Sequence, residues 1–273
     1  MADIELLSID LSNYCSKQCS FCYNHSTKEG NVLWKVDEII SFALDCINHG
    51  IKAISLGGGE PFEYEGIWDV IDAIYPHAYL SVTTNGIPLD INDEHIWQLL
   101  NNHKPDKIHI SIHHPDSDSE VNRVVKQLTK ISQCNITAGC NLLVSSKHIE
   151  AARNTYNTLS EILTPGQIIL IPQRFYDTPT PKELSYVAGN KAFQSPSCIL
   201  KCEKPNKFAS VSWDKKVNFC SYASGKQHLE TLDYKGLTNA LNKVSFGTCY
   251  TGSELRTKNT ELGTLNFDSD TDC

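Results

Sequence analysis

Between residues 4 and 175 short β-rich runs alternate six times with amphipathic stretches, and this rhythm restricts the fold more than any other feature. The strand candidates are IELLSIDLS (4–12), KAISLGG (52–58), AYLSVTTN (78–85), KIHISIH (107–113), NITAGCNLLV (135–144) and QIILIPQ (167–173). Between the first two, WKVDEIISFALDCINHG places Val36, Ile39, Ile40, Ala43, Leu44 and Ile47 at helical spacing, and Gly50 supplies a stop. A strand that returns through a helix pairs in parallel with its predecessor. The expected class is therefore α/β, a partial (βα)6 TIM-like barrel with helices on its outer face.

The rhythm stops near residue 190, where the text turns rich in Cys, Lys and Ser. A hairpin-like segment, FASVSWDKKVNFCSYA (208–223), and a helix-like one near 233–244 follow, before a polar tail that ends DSDTDC. The expected organisation is a barrel over 1–185, a small cysteine-rich extension over 186–250 and a polar tail over 251–273.

Eleven cysteines raise the possibility of a disulfide framework, but no secretory signal accompanies them and their spacings are clustered, which points to metal or redox chemistry. A net charge of −8 and a pI near 5.7 give no footprint for nucleic acid or an anionic membrane. With no run of about 18 apolar residues either, a cytoplasmic location is expected.

Strand alternation sorts side chains by face. Ile108, Ile110 and Ile112 oppose His109, Ser111 and His113, while Leu80 and Val82 oppose Ser81, Thr83 and Asn85. With the apolar faces against the helices, the interior lining is Ser55, Ser81, Thr83, Asn85, His109, Ser111, His113, Thr137, Asn141 and Gln173, with Ser8 and Asp10 as further candidates. So polar an interior implies a cavity for a polar ligand.

Cys15, Cys19 and Cys22 stand three and then two residues apart just after the first strand. A closed zinc site or an electron-transfer iron-sulfur cluster takes four protein ligands, so three thiolates leave a metal position open; a zinc knuckle completed by His25 is the alternative. Phe21 precedes the last cysteine, GGEP (58–61) follows the second strand and TTNG (83–86) closes the third. On these motifs the chain resembles the radical S-adenosylmethionine (radical SAM) enzymes over residues 4 to about 175.

The resemblance implies that Cys15, Cys19 and Cys22 are the catalytic ligands of a 4Fe-4S cluster whose free iron is chelated by the amino and carboxylate groups of S-adenosylmethionine (SAM). One electron from the reduced cluster then yields methionine and a 5'-deoxyadenosyl radical that takes hydrogen from a substrate. The implied cofactor-binding set is Phe21, Tyr23, Gly58, Gly59, Glu60, Asn85, Ser111, His113 and Asn141. Gly58, Gly59 and Glu60 would hold the methionine amino group, Ser111 would reach the ribose or carboxylate, and Asn141 and the Tyr23 backbone would lie by the adenosine. His113 departs from the family, in which many members carry an acidic residue there.

Cys198, Cys202, Cys220 and Cys249 form a second set that resembles the auxiliary iron-sulfur cluster extension called twitch, a shortened SPASM domain. Lys215 stands where that pattern has glycine, and the paired late cysteines are missing. Cys198 is the preferred fourth ligand, with Cys273 or a substrate atom as rivals, and a four-cysteine zinc site is the structural alternative. Cys46, Cys134 and Cys140 fall in helix or strand patterns as small buried hydrophobes.

The resemblance implies a cytoplasmic radical enzyme fed by a reductant such as flavodoxin or ferredoxin. With 14 residues before Cys15, no leader-recognition domain is expected. The favoured substrate is a ribosomally made precursor peptide, presented by a separate leader-binding protein as in the spliceases; the lining of His109, His113, Gln173, Arg174, Phe175 and Tyr176 suits a backbone-rich ligand. The alternatives are a small-molecule dehydrogenase of natural-product biosynthesis and a non-catalytic iron-sulfur scaffold.

Overall fold

The computed structural model describes residues 4–174, 176–196 and 204–245. In chain order the elements are β1 (Leu6–Asp10), α1 (Val36–Asn48), β2 (Ala53–Gly57), α2 (Ile67–Ile74), β3 (Tyr79–Thr84), α3 (Glu94–Asn102), β4 (Lys107–Ile112), α4 (Asp118–Gln133), β5 (Thr137–Val144), α5 (Ile149–Ser160), β6 (Ile168–Pro172), α6 (Pro181–Val187), β7 (Phe208–Val211), β8 (Lys216–Asn218), β9 (Gln227–His228) and α7 (Tyr234–Lys243). All six expected strands are present, in the α/β class that the alternation predicts. They fall into two compact units, one running to Ile108 and resuming at Lys204, the other beginning at His109.

In the first unit β1 pairs in parallel with β2, and β2 with β3. The sequence could not show that β7 also pairs in parallel with β1, so the hairpin of β7 and β8 extends this sheet, with β9 antiparallel beyond it. On one face Leu7, Ile9, Ile54, Leu56, Leu80, Val82, Ala209 and Val211 are fully buried. Burial of each large aliphatic side chain of this kind contributes roughly 2 kcal/mol. The register sets four serines in a row on the other face, Ser210 beside Ser8, Ser8 beside Ser55 and Ser55 beside Ser81.

Helix α1 buries Ile39, Phe42, Ala43 and Cys46; Phe42 and Cys46 thus replace Ile40, Leu44 and Ile47 of the expected stripe, which are half-buried. Gly50 ends its turn at φ +110. The extension is tied to α1 by the Tyr234 amide, which donates to Asp45 at 2.7 Å, and by the stacked rings of His49 and Tyr234. Asp233 caps α7 through the Gly236 amide.

In the second unit β5 and β6 pair in parallel. Ser117 caps α4 through Glu120, and a Thr180–Glu183 capping box starts α6. Ile110 and Ile112 are buried, and so are His109 and Ser111 on the opposite face of β4. The imidazole of His109 lies against Gly139, where a Cβ would collide with it, and its Nδ1 bonds Asn141 Oδ1 at 2.9 Å. Thr137, expected in the interior, is exposed because it opens β5 at the strand's entry. Among the described residues no helix is long and apolar enough to cross a membrane.

Candidate active site

After Asp10 the chain leaves the sheet, and the Leu11 amide still bonds Gly57 O at 3.0 Å. The loop that follows closes on itself at its base. Cys15 N donates to Thr27 O at 2.9 Å, Thr27 N to Asn13 O at 3.1 Å and Asn13 N to Asn31 O at 3.1 Å. Buried Asn24 braces it from inside, donating to Ser12 O and Ser26 Oγ at 3.1 Å each. Cys22 N bonds Cys19 O and His25 N bonds Cys22 O, each at 3.1 Å, while Gln18 and His25 adopt φ +52 and +50. Two left-handed residues and successive short turns wind the three cysteines into one compact loop. Cys15 is buried, Cys19 and Cys22 are half-buried, and His25 is exposed.

The glycines after β2 form the bed of this loop. A Cβ on Gly58, which sits at φ +110, would collide with the backbone of Leu11 and Ser12, and one on Gly59 with Tyr14. Gly59 N donates to Ser12 O at 2.7 Å and Glu60 N to Tyr14 O at 2.9 Å. Those two amides therefore position the loop. Ser16 donates to Glu63 from both its amide and its hydroxyl.

Glu60 is 1% exposed yet fully engaged. Oε1 accepts from Phe62 N at 3.1 Å and Thr84 Oγ1 at 2.7 Å, and Oε2 accepts from Asn85 N at 2.7 Å. Desolvation pushes its pKa up to about 7 against those donors. Thr84 was missed in the sequence, where only Thr83 was placed in the interior. The side chain of Asn85 turns the other way, donating from Nδ2 to Cys15 Sγ at 3.5 Å while Oδ1 accepts from Ile87 N at 2.7 Å. Burial raises the Cys15 thiol, and the amides of Lys17 and Gln18 oppose that rise by bonding the sulfur.

Behind the loop Asp10 is buried, and burial pushes it up to about 6, moderated by Lys226 and Tyr23. Tyr23 OH donates to Asp10 Oδ1 at 3.4 Å, and Asp10 Oδ2 has no partner. The ring of Tyr23 lies 4.6 Å from that of Tyr222, two residues past buried Cys220. Tyr23, His25, Trp213, Asp214, Lys216 and Lys226 help to line an open cavity of about 430 Å³ between this loop and the hairpin. The turn of that hairpin puts Lys215 at φ +59, a conformation that glycine adopts most readily.

Of the expected cofactor set, Phe21, Tyr23, Gly58, Gly59, Glu60 and Asn85 gather with the cysteines in the first unit. Ser111, His113 and Asn141 belong to the second, where Ser111 is buried, the His113 amide bonds Glu120 and Asn141 holds His109. Cys198, Cys202, Cys249, Cys273 and Phe175 lie outside the described residues.

Among the described residues no three His, Cys, Asp or Glu side chains converge on a point that one metal ion would fill. The loop's own chemistry fits an iron-sulfur cluster. Its buried sulfur takes N–H donors from Lys17, Gln18 and Asn85, the bonds that cluster sulfurs accept, and Cys19 and Cys22 are half-buried.

A profile of the Radical SAM superfamily matches residues 9–147, about half of the chain. A probable GTP 3',8-cyclase of Methanocella arvoryzae is 29% identical over 48% of this chain and 39% of its own length. The GTP 3',8-cyclase of Clostridium perfringens is 34% identical over 32% of this chain and 29% of its own. The chain thus matches about two fifths or less of these relatives. Among solved structures, Streptococcus suis SuiB bound to S-adenosylmethionine superposes with TM-score 0.62 at 14% identity, covering 83% of this chain and 63% of SuiB. anSMEcpe with bound AdoMet and a peptide gives 0.61 at 16% identity, covering 91% and 84%. These likenesses show the fold, and the expected partial barrel is the one observed. Cysteine loop, glycine bed and profile agree, and the chain is an enzyme that belongs to the radical SAM superfamily.

Proposed function

We propose that this enzyme cleaves SAM reductively and uses the resulting radical to remove hydrogen from a ribosomally made precursor peptide. The observation that carries the reading is the path from Glu60 through Asn85 to Cys15, which joins the carboxylate meant for the methionine amino group to a cysteine of the triplet. Cys15, Cys19 and Cys22 would hold a 4Fe-4S cluster, which supplies the electron and the open iron that binds SAM. Gly58 and Gly59 keep the loop seated, and with Glu60 they would hold the methionine amino group, as the resemblance implies. Ser111 would reach the ribose or carboxylate, and Asn141 and the Tyr23 backbone would lie by the adenosine, as the resemblance implies.

The peptide reading draws support from SuiB bound to precursor peptide SuiA and from anSMEcpe with bound peptides. The relatives named GTP 3',8-cyclase raise a nucleotide substrate as the second reading. The polar faces of β1, β2, β3 and β7 offer Ser8, Asp10, Ser55, Ser81, Thr83 and Ser210, and Lys216 and Lys226 line the cavity beside Tyr23. Cys220, with Cys198, Cys202 and Cys249, would hold an auxiliary cluster beside the Tyr222 contact.

Anaerobically reconstituted, dithionite-reduced enzyme should release 5'-deoxyadenosine from SAM, and Glu60→Gln should lower that rate at least tenfold. A precursor peptide encoded beside the gene should then lose hydrogen mass. Unchanged peptide together with consumption of GTP would replace this substrate with a nucleotide.

A further inference from the structure

We infer that Asn85 sets the reduction potential of the cluster by donating a hydrogen bond from its side-chain amide to the Cys15 sulfur. The inference rests on the reading above, in which Cys15 is a cluster ligand.

The geometry fixes which end of the amide faces the sulfur. Asn85 Oδ1 accepts from Ile87 N at 2.7 Å, so the opposite group, Nδ2, points to Cys15 Sγ at 3.5 Å. The backbone that carries the side chain is pinned as well, since the Asn85 amide donates to Glu60 at 2.7 Å and Gly86 N to Thr84 Oγ1 at 2.9 Å. Both Asn85 and Cys15 are buried, so water does not compete for the contact. A sulfur bound to iron gains negative charge when the cluster is reduced. An N–H donor aimed at it favours the reduced form, and its removal lowers the potential. Asn85 is thus a positioning and tuning residue. Its backbone amide also joins it to Glu60.

The test is the midpoint potential of reconstituted wild-type, Asn85→Ala and Asn85→Asp enzyme, measured by electron paramagnetic resonance (EPR) with iron and sulfide contents determined alongside. Asn85→Ala should titrate at a more negative potential, and Asn85→Asp, which aims a carboxylate at the sulfur, more negative still. A second readout uses wild-type protein labelled with nitrogen-15 at the asparagine side-chain amide. Pulsed EPR of the reduced cluster should show a nitrogen-15 coupling, whether or not the variants retain iron. Absence of that coupling, or variants that titrate with wild type, would overturn the inference while leaving the radical SAM reading intact. A wild-type protein with no 4Fe-4S signal would overturn the reading itself.

Discussion

Gly59 lies directly beneath Tyr14, so close that a Cβ would sit inside the Tyr14 carbonyl. The contact is backbone on backbone, and neither side has a flexible end that could yield. Gly59 N and Glu60 N also hold the loop's carbonyls at Ser12 and Tyr14.

Gly59→Ala should therefore displace the cysteine loop while leaving the strands in place. The expected loss of stability is about 2 kcal/mol, with iron incorporation reduced by at least half and SAM cleavage at least tenfold. Denaturation by urea and iron analysis check this. Wild-type iron content in the variant would show that the loop does not depend on its glycine bed.

Two buried carboxylates give the cluster-free protein a pH dependence. Burial lifts Asp10 to about 6 and Glu60 to about 7, each above its unfolded value, so the folded chain holds more protons between about pH 4 and 7. Stability is then highest at the acid end of that window and falls as pH rises, until both groups are ionised. Asp10→Asn removes one contribution, on the order of 3 kcal/mol at full ionisation. The variant should gain stability over wild type at pH 8 and little at pH 4, measured by thermal unfolding. An equal difference at both pH values would contradict the assignment.

Lys215 separates a backbone effect from an ion pair. Its φ of +59 costs about 1 kcal/mol relative to glycine, whereas its ammonium pairs with Glu38 at 2.8 Å and sits 5.1 Å from the Trp34 ring. Lys215→Ala loses the pair and keeps the strain, and Lys215→Gly loses the pair and relieves the strain. The glycine variant should be more stable than the alanine variant by about 1 kcal/mol in chemical denaturation. If the two match, the turn is not strained at this position.

The same residue shows how far the sequence was readable. Lys215 in a glycine position could be noticed as a departure, and only the backbone reveals that the turn still takes the left-handed form. The strands and the cysteine loop were legible because alternation and spacing are local. That β7 lies against β1 was not, since strand partners about 200 residues apart leave no local mark. Asn85 and Glu60 could be named from TTNG and GGEP, but their bond to each other, and Thr84 between them, depend on how the end of β3 meets the turn after β2. Asp10 could be placed on the polar face, while its partner Tyr23 lies in a loop with no period to read.

The account turns on whether Cys15, Cys19 and Cys22 hold a cluster with an open iron. The direct measurement is EPR of the reduced, anaerobically reconstituted protein before and after addition of SAM, beside a variant with all three cysteines changed to alanine. The predicted result is a 4Fe-4S signal whose shape changes with SAM in the wild type, with that SAM-sensitive signal absent from the variant. A signal indifferent to SAM, or one that is SAM-sensitive and survives loss of all three cysteines, would contradict it.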